Sequence, residues 1–218
     1  MSPYTRAYLA REFAEIAPLF EAGAVERICT HLEEPGRAYH NASHVRNLLW
    51  LLGKMRDHAK DPLALKVAIF FHDAIYHIPT DAQKPPAHDN EVRSVSLMQE
   101  LAIDATHPAL VKAGAMILCT AGHARQEDSD IGLMLDLDLS VLAASPARFA
   151  RFEQAVRREY EVYPLPLYCM ARMRIMRGFL EPHELFNTLV LSRRWQPRAE
   201  RNLRAAINSL EQGKILGY

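Results

Sequence analysis

The sequence lacks any long uninterrupted apolar segment, and it contains few cysteines. No run approaches the roughly 18 apolar residues that a membrane-spanning helix requires, so no membrane partner is expected. The N-terminal segment MSPYTRAYLAREFAEIAP mixes charged residues with apolar ones, unlike a signal peptide. The three cysteines, Cys29, Cys119 and Cys169, form no CxxC pair. This argues against a disulfide framework or a cysteine-rich zinc site and predicts a cytoplasmic location.

Glycine is also scarce, with 9 among 218 residues, and no Asn-Gly or Asp-Gly turn joins alternating segments. The sequence therefore gives no sign of β-hairpins. Prolines stand instead where helices would begin, in Asp61–Pro62, His107–Pro108 and Ser145–Pro146. A run with apolar residues three and four apart follows each of them. These features predict an all-α fold, a single compact helical bundle.

The predicted helices cover most of the chain. They lie at about 4–17, 22–33, 42–59, 62–76, 131–144, 146–162, 165–180, 183–192 and 197–213, and two more are marked by Val92, Val95, Met98 and Leu101 and by Leu110, Ala113 and Ile117. The segment LMLDLDLSVL alternates like a strand. Since an isolated strand would lack a partner, we predict that this segment is helical.

The charged residues balance overall but not along the chain. The sequence has 26 basic and 26 acidic residues; residues 1–144 contain 13 basic and 19 acidic ones, and residues 145–218 contain 13 and 7. The basic C-terminal part either neutralises the acidic N-terminal part or presents arginines to an anionic substrate. No dedicated surface for a nucleic-acid polymer is expected.

The segment FFHDAIYH places His72 and Asp73 at the end of the apolar run LKVAIFF. Burying both side chains costs several kcal/mol unless an ion pair, a surface location or a metal ion compensates them. His44 and the two acids of LDLDLS, Asp136 and Asp138, also lie in or beside apolar helical segments. Together these residues offer two imidazoles and two or three carboxylates, which suit a divalent metal ion.

The order His, His-Asp, Asp resembles the signature of the HD-domain metal-dependent phosphohydrolase superfamily. The segments YHNASH, FFHDAIY, DNEVRS, TAGH, LDLDLSVL, RREY and ERNL are similar to those of a branch of small bacterial proteins identified as predicted HD phosphohydrolases. The resemblance covers most of the chain. It implies an all-α bundle with an HD core at about 25–145, on which C-terminal helices at about 146–218 pack.

The resemblance also implies the metal ligands, which would be His44, His72, Asp73 and Asp138. Asp138 is preferred over Asp136 because the last ligand of the family is usually the second acid of an Asp-x-Asp motif. Two residues apart on a helix, these acids face roughly opposite ways, so only one of them should bind.

Three residues are candidates for the catalytic acid or base. Several enzymes of the family carry a glutamate three residues after the HD aspartate, but this chain has Tyr76 there. Glu91 could replace it from the next helix, although a carboxylate at a helix start is also favoured by the helix dipole. His123 and His40 are the other candidates for handling the proton or binding phosphate.

The resemblance implies a metal-dependent phosphohydrolase that cleaves a phosphate ester or phosphoanhydride of a small molecule, with nucleotides among the candidates. The ligand set does not distinguish Mn, Fe, Co, Ni and Zn, and Mg could enter with substrate. One alternative is a non-catalytic HD module that binds a nucleotide or metabolite. Another is a di-iron HD-type oxygenase, with His88 and His123 as added ligands. The expected partner is a small phosphorylated substrate, and a homodimer is left open.

Overall fold

A computed structural model describes residues 1–181 and 184–217, and these residues form ten α-helices and no strand. The helices are α1 (Pro3–Phe13), α2 (Ala24–Leu32), α3 (Ala42–Met55), α4 (Pro62–Phe71), α5 (Asn90–Leu101), α6 (Pro108–Cys119), α7 (Ser129–Asp138), α8 (Pro146–Glu159), α9 (Leu165–Leu180) and α10 (Leu189–Glu211). Short 3₁₀ turns cover Ala17–Leu19, Arg56–His58 and Leu139–Ala143. The all-α bundle is confirmed, and so is the helical prediction for LMLDLDLSVL. Among the described helices, none is long and apolar enough to cross a membrane.

The three proline-marked helix starts are confirmed. Helices α4, α6 and α8 begin at Pro62, Pro108 and Pro146, where the missing N–H of proline costs nothing because the first turn has no partner for it. The Asp61 side chain accepts a hydrogen bond from the Ala64 N–H at 2.9 Å, and His107 caps α6 in the same way. Ser145 makes no such bond.

The prediction that α4 reaches about residue 76 is wrong, because the helix ends at Phe71. The His72 N–H still donates to the Ala68 carbonyl at 2.8 Å. The two residues after His72 are Asp73 and Ala74, and their carbonyls accept hydrogen bonds from the Arg37 guanidinium at 2.6 and 3.0 Å. Arg37 thus binds two carbonyls in the turn that follows α4.

Two other helix predictions are also corrected. The separate helices at 183–192 and 197–213 form the single helix α10, and residue 183 lies outside the described residues. Pro197 lies inside α10; it removes one backbone hydrogen bond, while buried residues on both sides, including Leu191 and Leu203, hold the helix in the core. On α5 the apolar face is rotated, so that Val92 is 56% exposed while Ser94 is fully buried.

Helix α4 lies at the centre of the larger of two hydrophobic clusters. It packs against α3, α5, α6 and α7, and all residues from 64 to 71 are buried. Its last two side chains, Phe70 and Phe71, contact the rings of Phe13 and Phe20 at centroid distances of 5.2 and 5.1 Å. This packing fixes the end of α4, and therefore the position of the histidine and aspartate that follow it.

The second cluster lies between the 3₁₀ turn at Leu139–Ala143 and helices α8, α9 and α10. Trp195 of α10 packs against both clusters. The larger cluster already includes Leu9 of α1, so residues before the predicted core limit of about 25 contribute to it. The division of the chain into an HD core and packed C-terminal helices stays a prediction.

Gly132 of α7 marks a close approach between this helix and the segment before α10. A Cβ atom at this position would lie 2.8 Å from the Cβ of Asn187, which is too close for carbon atoms. We expect Gly132→Ala to lower the free energy of unfolding by about 1–3 kcal/mol, measured by urea denaturation. Gly53→Ala in α3 meets nothing within 4 Å and should instead raise it by up to about 1 kcal/mol. Equal effects of the two changes would contradict this packing.

Candidate metal centre

Three helices bring the four predicted ligands together. His44 lies in the first turn of α3, His72 and Asp73 follow α4, and Asp138 is the last residue of α7. The His44 Nε2 atom lies 3.1 Å from His72 Nε2 and 3.0 Å from Asp138 Oδ1. The Asp73 Oδ2 atom lies 3.1 Å from His72 Nε2 and 3.6 Å from His44 Nε2.

These separations fit a common metal ion. An ion about 2.1 Å from each ligand atom separates neighbouring ligand atoms by about 3.0 Å in an octahedral shell and about 3.4 Å in a tetrahedral one. The ligand atoms of His44, His72 and Asp138 all lie within 4.8 Å of one another. The structure therefore contains a His-His-Asp group that could bind a metal ion, with the Asp73 carboxylate beside it. The donor set does not identify the metal.

The orientation of the His72 ring is set by its backbone contact. Its Nδ1 atom lies 3.0 Å from the Ile69 carbonyl, which can only accept, so Nδ1 carries the hydrogen and Nε2 faces the cluster. Such a contact orients metal-binding histidines in general. Burial alone would lower the pKa of His72, but the charges of Asp73 and Asp138 raise it to about 9. Without a metal ion, a proton on this ring thus offsets the buried carboxylates.

Asp138 contacts a histidine through each of its two oxygens. Oδ1 faces His44, and Oδ2 accepts a hydrogen bond from His123 Nε2 at 2.8 Å. His123 has a φ of 49°, a left-handed conformation that costs a residue other than glycine on the order of 1 kcal/mol. His123 leaves the end of α6 in this strained turn, and its ring thereby reaches the cluster.

Asp136 points away from the cluster, as expected for an acid two residues from Asp138. It is fully buried and accepts hydrogen bonds from the Asn187 N–H at 2.6 Å, the Asn187 side-chain amide at 3.1 Å and the Thr188 N–H at 2.7 Å. Burial raises the pKa of Asp136, although these bonds oppose the shift. Asp136 therefore anchors the start of α10 to α7.

The sequence did not indicate Arg37, which holds the turn that carries Asp73. The Arg37 side chain is 1% exposed, and besides the Asp73 and Ala74 carbonyls it binds the His40 carbonyl at 3.3 Å and Glu34 at 2.9 Å. Arg37 thus ties the segment before α3 to the turn after α4. These are the two segments that lead to His44 and present Asp73.

Glu159 is a second residue that sequence reasoning missed. It is 1% exposed and accepts hydrogen bonds from the backbone N–H groups of Tyr39 and His40, at 2.6 and 2.9 Å, and from His40 Nδ1 at 2.6 Å. Burial alone would lower the pKa of His40, but the charges of Asp73 and Glu159 raise it. The ring of His40 stacks on the ring of Tyr76 at a centroid distance of 3.9 Å, so Tyr76 supports this histidine. Glu159 belongs to the RREY segment, and the similarity of this segment to the HD proteins was the signal in the sequence that could have indicated Glu159.

The stabilising effect of Glu159 should depend on pH. Burial would raise its pKa, but the bonds from His40 and the backbone lower it below the ordinary value of 4.5. A lowered pKa stabilises the fold above the unfolded-state pKa, and this stabilisation is lost as the pH falls through the folded-state value. Relative to Glu159→Gln, we expect the parent to be more stable by roughly 3 kcal/mol at neutral pH. Urea denaturation should show this difference shrinking below pH 4.5; a constant difference would contradict the assignment.

A cavity of about 800 Å³ has His40 and His123 in its wall, and His123 links it to the cluster through the bond to Asp138. Glu91, in the first turn of α5, and His88 also line the cavity. In the part of the chain that the structure describes, neither makes a hydrogen bond or ion pair with the four predicted ligands. The structure thus brings His123 into contact with the cluster and places His40 and Glu91 beside the cavity. The catalytic roles of all three stay predictions.

Comparison with known proteins does not identify a family for this chain. The chain matches no protein-family model, and a search of curated proteins finds no match. Membership of the HD superfamily therefore stays a prediction from the sequence motifs.

Proposed function

We propose that the chain is a metal-dependent phosphohydrolase of the HD type that acts on a small phosphorylated compound. The observation that carries this proposal is the convergence of His44, His72, Asp138 and Asp73 beside a cavity large enough for a small molecule. These four residues would hold a divalent ion. A bound divalent ion supplies Lewis-acid activation of water and offsets the charge of phosphoryl oxygens.

The residues around the cavity can move the protons that hydrolysis requires. A water oxygen forms a bond to phosphorus, the bond between phosphorus and the leaving oxygen breaks, one proton leaves the water and one reaches the leaving oxygen. His40, oriented by Glu159 through Nδ1, keeps its Nε2 atom available for such a transfer,. His123 is hydrogen bonded to Asp138 at the cavity wall and is the second candidate. Glu91 also lines the cavity.

The two alternative functions differ from this proposal in observable ways. A di-iron oxygenase would require further histidines at the cluster, and of the two candidates only His123 contacts it among the described residues. A non-catalytic module would bind phosphorylated ligands in the same cavity without turnover. The ligand arrangement and the candidate proton carriers favour hydrolysis.

The test is release of phosphate by metal-loaded protein. Purified protein is reconstituted in turn with Mn, Fe, Co, Ni, Zn and Mg and incubated with a panel of phosphate esters and phosphoanhydrides. We expect turnover with at least one ion and its loss in His72→Ala. The matched control is His58→Ala, which replaces an exposed histidine that is not part of the metal-binding group. Ligand binding without turnover by any loaded form would contradict the proposal and favour the binding module.

A further inference from the structure

The wall of the cavity beside the cluster is mainly aromatic and aliphatic. The largest group of these side chains comes from α8, α9 and the segment between them, and it includes Phe152, Val156, Tyr160, Leu167, Ile175 and Phe179. The remaining wall comes largely from residues 82–88, a segment with two prolines, and the Tyr163 hydroxyl donates to the Lys84 carbonyl at 2.7 Å. A cavity of this size and lining binds a ligand mostly by burying apolar surface.

Apart from its histidines, the wall has few charged side chains, which are Lys84, Glu91 and Arg172. Arg172 of α9 binds the buried Glu153 at 2.7 Å, and its side chain is 12% exposed. Lys84 is 80% exposed and lies 3.7 Å from Asp81. Glu91 adds a negative charge. Recognition of a chain of phosphates requires several charged or backbone donors aimed at them, and the described wall offers no such group of free cations.

We infer that the cavity takes the organic part of a phosphate monoester and that this part is apolar and aromatic. This inference rests on the proposed function, because it places the single phosphate at the metal cluster. His123 lines the cavity and is hydrogen bonded to Asp138 of the cluster, and His40 also lines the cavity, so the ester group of a phosphate bound at the cluster would extend past these histidines into the cavity. The aromatic rings of the wall would then stack against that group. The structure thus assigns specificity to the leaving group and not to additional phosphates.

The first test measures binding without chemistry. Metal-loaded protein is titrated with benzylphosphonate and with methylphosphonate, which share the charged group and differ in the ring. Burial of the ring should make benzylphosphonate bind at least about tenfold more tightly. Equal affinities would overturn the inference whether or not the protein is a hydrolase.

The second test compares turnover of benzyl phosphate and glycerol 3-phosphate, which both release a primary alcohol. We expect kcat/KM to favour benzyl phosphate by at least about tenfold. A binding preference without any turnover would overturn the hydrolase proposal and leave the assigned ligand class standing. Faster hydrolysis of ATP or of glycerol 3-phosphate would overturn the inference and leave the hydrolase proposal standing.

A matched pair of variants on α9 tests whether this part of the wall causes the preference for benzyl compounds. Ile175 lines the cavity and is 49% exposed, whereas Met170 is 61% exposed and does not line it. Ile175→Gln should reduce the preference for the benzyl compounds several-fold, and Met170→Gln should leave it unchanged. The same reduction in both variants would overturn the assignment of this wall to the organic group.

Discussion

Replacing Asp138 by alanine is expected to lower the affinity of the protein for its metal ion by more than about 100-fold. Asp138 supplies one of the three closely grouped ligand atoms and also binds His123, so its removal takes away a ligand and the partner of a cavity histidine. Competition with a chromophoric chelator measures the affinity. Turnover, where present, should be lost together with the metal.

Asp136→Ala provides the matched control, because it removes the same side chain two residues away. Three N–H groups of Asn187 and Thr188 would lose their acceptor in a buried environment. We expect the free energy of unfolding to fall by about 3–5 kcal/mol, while the folded variant keeps its metal affinity. Loss of the metal in Asp136→Ala with retention in Asp138→Ala would reverse the roles assigned to the two acids.

Arg37→Ala should give the second large effect, acting on both stability and metal affinity. The change leaves the carbonyls of Asp73 and Ala74 without the guanidinium that binds them. We expect a loss of about 3 kcal/mol in the free energy of unfolding and about tenfold weaker metal binding, since the turn that carries Asp73 is no longer held. Urea denaturation and chelator competition measure the two effects.

Substitution of a surface arginine is the control that separates the effect of Arg37→Ala from a general loss of positive charge. Arg27 is 49% exposed and pairs with Glu100 at 2.9 Å, so Arg27→Ala should cost less than about 1 kcal/mol and leave the metal affinity unchanged. Arg37→Lys should resemble Arg37→Ala, because an ammonium group cannot reproduce the fork of donors. Full metal affinity in both Arg37 variants would contradict the proposal that Arg37 holds the turn that carries Asp73.

Much of the fold could be predicted because local features mark it directly. Proline at the first helical position identifies the starts of α4, α6 and α8. The spacing of Leu110, Ala113 and Ile117 identifies the buried face of α6. The end of α4 could not be predicted in this way. The turn that follows α4 is bound by Arg37, which lies 36 residues before Asp73 and leaves no periodic signal.

The candidate site likewise contains residues that could be predicted from the sequence and residues that could not. His44, His72, Asp73 and Asp138 combine motif order with apolar surroundings, and the structure brings them together. Glu159 was not predicted as a functional residue, because its partners are backbone and ring atoms of residues 119 and 120 positions earlier in the chain. Side chains that act on remote backbone groups are recognised only when the fold is known.

The most direct test of the central claim is the metal content of purified protein, prepared without an added affinity metal and again after reconstitution. Elemental analysis compares the parent with His44→Ala, His72→Ala and the surface control His58→Ala. We predict about one transition-metal ion per chain in the parent and in the control, and its loss in both cluster variants. Absence of metal from the reconstituted parent, or unchanged metal in His72→Ala, would contradict the metal centre.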